Sequence, residues 1–550
     1  MRCIRWNIQA KTMSCERFSK AEFLTYLILF LLSLSLFLIT ASIRGAPGYM
    51  DESYYAVGAR SLYAGEGFWD QFFWHYLDDP AVLPNPSHTY WMPLPSILAA
   101  SGMLLFAQST YLAGALPMAL ISAFIPLLVY RYTRKTSLEK KYAIAAALIA
   151  MFGGYYLVYY SAIESFGLVM VAGFGYFYCV STVCRNSPKR PLYVNAVVAG
   201  LLAGLLHLSR AEGLLWAIMI PVFYFVTFFK CRESARYPWD VFIAVSLTSV
   251  GAYLLVMFPW YVRNVSLWGS LTPPGSSLSL WLTNYNDLFS YPASVLTPQR
   301  WFSQGVSSII TARLSSLGNN LLTFAGVQTM IIFLPFFIVG VLKKKHQTWV
   351  TNNLIGYGIL LGFMSVLFPF AASRGGFLHA SSAFSVFVWI MTAVGLKEVI
   401  TKLPTNKNVA KHQLENLVLV MLVVITGVIS LYLFSIRVVG EVDQPLAWGQ
   451  PAKEFMAIDK GLTMNGIWEE DIIFINDSPS FHWISNRPAL VIPNGDEDVL
   501  LAAMNRYQAK YLVLQKNHPP GLSDLFANPE QSDSFVTIEQ TSDWKILETK

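Results

Sequence analysis

The chain has 550 residues and a formal net charge of +6, yet only 13% of its residues are charged and 54% are hydrophobic. A soluble domain carries about 25% charged residues, so this composition, with a mean hydropathy of +0.45, excludes an ordinary secreted or soluble protein and points to a polytopic membrane protein. The net charge says little by itself, because in a membrane protein the placement of Lys and Arg carries the information.

Residues 1–22 form a basic tail with Arg2, Arg5, Lys11, Arg17 and Lys20. The uncharged stretch Phe23–Ile43 follows. It is long enough to cross a bilayer and too long for a signal-peptide core, and it lacks a small-residue cleavage site, so it reads as a retained anchor. Further apolar spans are expected near 111–130, 142–160, 166–184, 192–209, 213–229, 239–259, 321–342, 354–372, 379–396 and 416–436. The stretch 93–109 is ambiguous, and the positive-inside rule settles it. If it crossed, the clusters RYTRKTSLEKK, CRNSPKR, KCRESAR and the lysines at 343–345 would all face outward. If it only dips into the interface, every cluster faces the cytoplasm, and the outward loops keep just Arg44, Arg60, Arg210, Arg263, Arg300, Arg313 and Arg374.

The expected architecture is therefore mainly α, with about 11 crossings. The N-terminus is cytoplasmic, and the long loops 44–110 and 260–320 lie outside, in the plasma membrane of the cell. Within the first loop, 52–65 reads as a short helix with Tyr55, Ala59 and Leu62 on one face. Both long loops are rich in Trp, Tyr, Phe and Pro, which suits the headgroup level and the apolar faces of a sugar ring. From about Gln444 the composition becomes that of a soluble domain. DIIFIND, ALVIP and KYLVLQ read as strands, EDVLLAAMNRYQA as a helix and FVTIEQTSDWKILE as a hairpin, giving a small external α/β domain over 441–550 after a membrane-embedded 23–440. Cys3, Cys15, Cys184 and Cys231 lie on or near the cytoplasmic side and Cys179 inside a span, so no disulfide framework is implied.

Ionisable groups at membrane depth are costly and tend to mark function. Here they are one-sided. Asp51 and Glu52 end the first outward step, and Glu164 sits in a short external turn. Arg210 and Glu212 occupy another turn, Arg263 follows FPWYV, and Arg374 and His379 bracket RGGFLH. Each also has a bland reading. Asp51 would cap the 52–65 helix, Arg210 and Glu212 would pair locally, Arg263 would anchor a span, His207 would be a satisfied interior histidine, and LDDP at 77–80 would be a turn. Neighbouring acids also suit a divalent cation, which leaves a metal open; no other cofactor and no nucleic-acid partner is expected. A carboxylate with several cations facing one leaflet suits transfer from a membrane-borne phosphate ester. The acid takes a proton from the attacking hydroxyl, and the cations stabilise the departing phosphate.

MDESYYAVGARSL resembles the acidic motif of the first external loop in GT-C membrane glycosyltransferases, in the protein O-mannosyltransferase and lipid A aminoarabinose transferase branch. SAIESFGLVM, GLLHLSRAEGLL, FPWYVRNVSLWG and RGGFLHASSAF resemble further segments of bacterial members. The resemblance covers roughly residues 23–440. It implies a helical membrane fold with interfacial helices in the first loop, a polyprenyl-phosphate-linked sugar as donor, and a glycan, lipid or protein hydroxyl as acceptor. It also implies Asp51 as the catalytic base or acceptor-orienting carboxylate with Glu52 beside it, Arg60, Arg210, Arg374 and His379 toward the donor phosphate, and Glu164 and Glu212 as supporting acids. One segment departs. Where relatives carry a Lys-Pro-Pro-Leu type sequence, this chain reads HTYWMPLP, with Trp91 and Met92 in place of Lys-Pro and His88 as the nearest substitute. The competing readings are a transporter or flippase for lipid-linked sugars, and a non-catalytic lipid-binding assembly protein.

Overall fold

A computed structural model describes residues 19–182, 189–230, 239–402, 411–441 and 446–550. The basic tail up to residue 18, most of the CRNSPKR and KCRESAR clusters, and Cys3, Cys15, Cys184 and Cys231 lie outside the described residues. Among the described residues, eight helices are long and apolar enough to cross a membrane. The chain is an integral membrane protein. The first of these helices, α1 (Lys20–Arg44), opens on Ser19, whose Oγ accepts from the Glu22 amide at 3.1 Å. It buries Leu29, Phe37 and Ala41 while Phe23, Leu24 and Leu31 stay exposed. Such an apolar outer face would be a liability in water and is the expected surface toward lipid.

Three expected spans take other forms. The 142–160 span is the helix Lys140–Phe152 continued by a 3₁₀ stretch, Gly154–Val158. The 166–184 span is the shorter apolar helix Phe166–Thr182. The 321–342 span is interrupted: Val306–Thr323 passes through a π turn, Phe324–Gln328, and the helix resumes only at Leu334. The stretch at 93–109 forms Leu94–Phe106, 13 residues long. At a rise of 1.5 Å per residue that is about 20 Å, short of a hydrocarbon core of about 30 Å. The 239–259 span runs on to Trp268, so the second long loop is mostly helical at both ends.

The helix Ser385–Ile400 is the axis of the bundle and buries every residue from Ser385 to Leu396. The first loop carries α2 (Met50–Ala64) and three two-residue strands: β1 (Trp69–Asp70), β2 (Phe72–Phe73) and β3 (Asn85–Pro86). The C-terminal region supplies β4 (Ile473–Ile475), β5 (Ala489–Val491), β6 (Tyr511–Gln515), β7 (Phe535–Gln540) and β8 (Trp544–Thr549). Every strand and helix anticipated there forms. What sequence patterning did not reveal is the edge of the sheet. Its order is β2-β5-β4-β6-β8-β7, with β2 from the first loop pairing parallel to β5 through Phe72↔Ala489 and Phe73↔Leu490. Tyr76 donates to the Val491 carbonyl at 2.5 Å, and Ser478 donates to the Phe73 carbonyl at 2.9 Å.

Candidate active site

The helix α2 sets the site. Its N-cap is Tyr49 and no side chain caps it, so Asp51 lies inside the first turn rather than capping the helix. At 100° per residue, Glu52 points a quarter-turn away and Arg60 points to the opposite face. Asp51 meets Glu164 and His379, with one oxygen or nitrogen of each within 4.8 Å of the others. Ser165 holds Glu164 by its amide and by its hydroxyl at 2.9 Å. His379 lies flat against Phe166, centroids 4.1 Å apart, with Nδ1 3.3 Å from Glu164 Oε2. Among the described residues, Glu164 Oε1 and His379 Nδ1 are nonetheless buried without a hydrogen-bond partner of good geometry.

Two guanidinium groups face the same space. Arg210, between two spans, pairs with Glu212. Arg374 sits where the long Pro369–Ile400 helix kinks. Gly375 there has φ +111°, in the region that side-chain-bearing residues avoid, and Arg374 itself leaves helical geometry. Its guanidinium stands 5.0 Å over the Tyr285 ring. A cavity of about 540 Å³ has Asp51, His88, Arg210, Glu212, Arg374 and His379 on its wall, while Glu164 is buried beside Asp51 and His379 and does not line it. Burial, and then the Glu164 charge, push the Asp51 carboxyl up to about 6, while His379 and Arg210 pull the other way. Burial also opposes the charge on Glu164, but His379 and Arg210 outweigh it and hold that acid below its ordinary value. Burial likewise opposes the Arg210 charge, and Glu212 leads the groups that more than offset it. One acid near neutrality thus sits beside a fixed anion and two fixed cations.

Three expected site residues are placed differently. Glu52 is fully buried and spends its oxygens on the Gly48 amide (3.0 Å), the Tyr111 hydroxyl (2.7 Å) and the Ile163 amide (3.1 Å). It is off the cavity wall, and it fixes the turn that presents Glu164. Arg60 reaches the C-terminal region, its guanidinium 3.2 Å from the Trp483 ring centre and donating to the Trp483 carbonyl at 2.8 Å. It does not line the cavity, because it is nine residues, or two and a half turns, beyond Asp51. His88 does line it, but both ring nitrogens are engaged, by Ser87 at 2.8 Å and Ser96 at 2.9 Å. Burial, with Arg263 nearby, drives His88 down to about 3, so it is neutral and a poor partner for phosphate.

The bland readings hold in part. His207 bonds Tyr253 at 2.7 Å, Arg263 bonds the carbonyls of Phe68 and Ser87, and Asp79 closes a turn onto Tyr76. Sequence reasoning missed Trp74, His75, Asp78, Tyr90, Trp91 and Tyr285, all on the cavity wall. The aromatic density of the loops was the available signal, but it did not single out residues.

No family model matches the chain, and no curated protein matches it. Solved structures do. The oligosaccharyltransferase AglB from Archaeoglobus fulgidus, in complex with an inhibitory peptide and a dolichol-phosphate, superposes with a TM-score of 0.57 at 13% identity, covering 96% of this chain and 74% of that one. The same protein with Zn and sulfate gives 0.56 at 13% identity, over 95% of this chain and 72% of that one. ArnT from Cupriavidus metallidurans bound to undecaprenyl phosphate gives 0.55 at 12% identity, over 95% of this chain and 98% of that one. Identities this low speak to architecture alone, and that architecture is the GT-C membrane glycosyltransferase fold.

Proposed function

We propose that this protein is a membrane glycosyltransferase that moves a sugar, hexosyl or pentosyl, from a polyprenyl-phosphate donor to a hydroxyl acceptor at the outer face of the plasma membrane. The N-terminus is then cytoplasmic and the 441–550 region external. The observation that carries this reading is one cavity holding Asp51, raised to about 6, together with Arg210 and Arg374. Asp51 takes the proton of the acceptor hydroxyl as its oxygen attacks the anomeric carbon. The bond from that carbon to the phosphate oxygen breaks on the opposite side, so the anomeric configuration inverts. The carrier phosphate keeps the electron pair and leaves as an anion, stabilised by Arg210, Arg374 and His379. Glu212 positions Arg210, and Glu52 positions the Glu164 turn.

The donor set of Asp51, Glu164 and His379, with two buried atoms lacking partners, fits a divalent cation. These three residues would hold it, and its charge would supply further stabilisation to the leaving phosphate. A fold neighbour solved with Zn and sulfate supports that reading.

The test is to offer the purified protein a panel of labelled polyprenyl-phosphate sugars, with and without chelator, and to measure free carrier released. Release that Asp51→Asn abolishes is expected. Lipid flipping without release would favour the flippase reading, and carrier binding indifferent to loss of both acids would favour an assembly protein.

A further inference from the structure

The same cavity has a second wall, which the transfer chemistry leaves unused. Trp74 and Trp91 stack with centroids 4.0 Å apart and planes within 17°. Tyr90 stands edge-on to Trp74 at 5.0 Å. Trp74 is buried, whereas Trp91 and Tyr90 are only half-buried and present ring surface to the cavity. Among the described residues the Tyr90 hydroxyl has no hydrogen-bond partner. Beside the rings, Asp78 gives one carboxylate oxygen to the Gly275 amide at 2.8 Å. Its other oxygen lies 3.7 Å from His75 Nε2, an ion-pair distance beyond hydrogen-bonding range, and keeps capacity to accept a hydrogen bond from a ligand.

This wall borders the reacting groups. Burial, then Tyr285, hold the Tyr90 phenol above its ordinary value, with Arg210 and Asp51 close enough to act on it as well. Tyr285 in turn lies beneath Arg374.

The chemistry of the wall selects its occupant. A phosphate would be repelled by Asp78. A polyprenyl chain would bury the Asp78 oxygen and the Tyr90 hydroxyl without hydrogen-bond partners, which is unfavourable. A sugar ring satisfies both halves: its C–H face lies on the aromatic rings, and its hydroxyls donate to the carboxylate and accept from the phenol. We infer that Trp91, Tyr90 and Trp74 with Asp78 form the subsite for the ring of the transferred sugar, selecting a ring with an apolar C–H face and hydrogen-bond donors along its edge. This deepens the glycosyltransferase reading and rests on it.

The experiment is an equilibrium one, run without acceptor on the full-length purified protein. It compares the affinity for bare polyprenyl phosphate with that for polyprenyl phosphate linked to mannose, glucose, galactose or an amino sugar. At least one sugar-linked carrier is expected to bind about tenfold tighter than the bare carrier. Trp91→Ala should abolish that difference and leave bare-carrier affinity unchanged, Trp91→Phe should keep most of it, and Asp78→Asn should reduce it. If Trp91→Ala does not fold, the Trp91→Phe and Asp78→Asn pair decides. The subsite is overturned if no sugar-linked carrier outbinds the bare one, or if Trp91→Ala weakens both equally. Because no turnover is measured, a failed transfer assay and a failed subsite give separate results.

Discussion

The two ends of the helix bundle hold charges of the same kinds and treat them differently. At the end away from the cavity, Lys141 lies between Glu139, at 3.5 Å, and Glu415, while Lys397 reaches Glu139 at 2.6 Å and Glu415 at 3.7 Å. Each acid there has a base, and none of those charged atoms is buried without a partner. At the cavity end, Asp51, Glu164 and His379 crowd together with atoms left unpartnered, and the Arg374 guanidinium covers a ring instead of an acid. Burial separates the two sets only in part, since Glu415 is buried like Glu164 while Glu139 is exposed. They also differ in satisfaction: the far network is closed by its own ion pairs, whereas among the described residues Glu164 Oε1 and His379 Nδ1 lack hydrogen-bond partners.

Substitutions test that contrast. Asp51→Asn should lower carrier release by about 10²–10⁴-fold while the melting temperature stays near that of the parent. Normal turnover would remove Asp51 from the chemistry. Arg374→Ala should cost about 10²–10³-fold in kcat/KM for the donor, with partial rescue by Lys, since a point charge keeps the attraction but loses the fork. The transfer rate should rise with pH through about 6, because Asp51 must be ionised to accept a proton. Glu164→Gln removes the neighbouring charge that helps raise Asp51, so in chelated protein this acid limb moves to lower pH. A saturating divalent cation moves the parent's limb the same way, by favouring the ionised carboxylate. A limb indifferent to both changes would separate Asp51 from Glu164.

Glu52→Gln is the sharper case, since it alters the neighbour of Asp51 in a site that is already satisfied. It should cost about 1–3 kcal/mol of stability, read as a lower melting temperature, and change transfer far less than Asp51→Asn does. The smallest effect belongs to the far network, where Lys397→Ala should cost about 1 kcal/mol or less and leave transfer unchanged.

Much of this site could be read from the residues in order. Asp51, Glu164, Arg210, Arg374 and His379 stand out because an ionisable group beside a long apolar span needs a reason to be there. Arg60 stood out by the same logic and went elsewhere; helical periodicity over 52–65 already sets it half a turn from Asp51, a signal that charge alone does not carry. The aromatic wall was hidden for a different reason: rings at the headgroup level and rings facing a cavity have the same composition. The interruption between Gln328 and Leu334 was masked because the residues there are as apolar as those of an unbroken span. β2 had no local signature at all, being two residues whose partner strand is more than four hundred positions away.

That borrowed strand has a practical side. Gly48, just ahead of Asp51, lies so close to the Trp448 indole that a methyl group there would sit 2.3 Å from the ring. Arg60 and β2 fasten the other end of the same loop to the outer layer. Cutting the protein near residue 441 to harvest a soluble fragment would therefore strip the covering from β5 and invite it to adhere to other chains. The membrane half left behind would lose the brace that aims its carboxylate. Engineers seeking a minimal catalyst should expect the outer layer to be inseparable from the reactive loop.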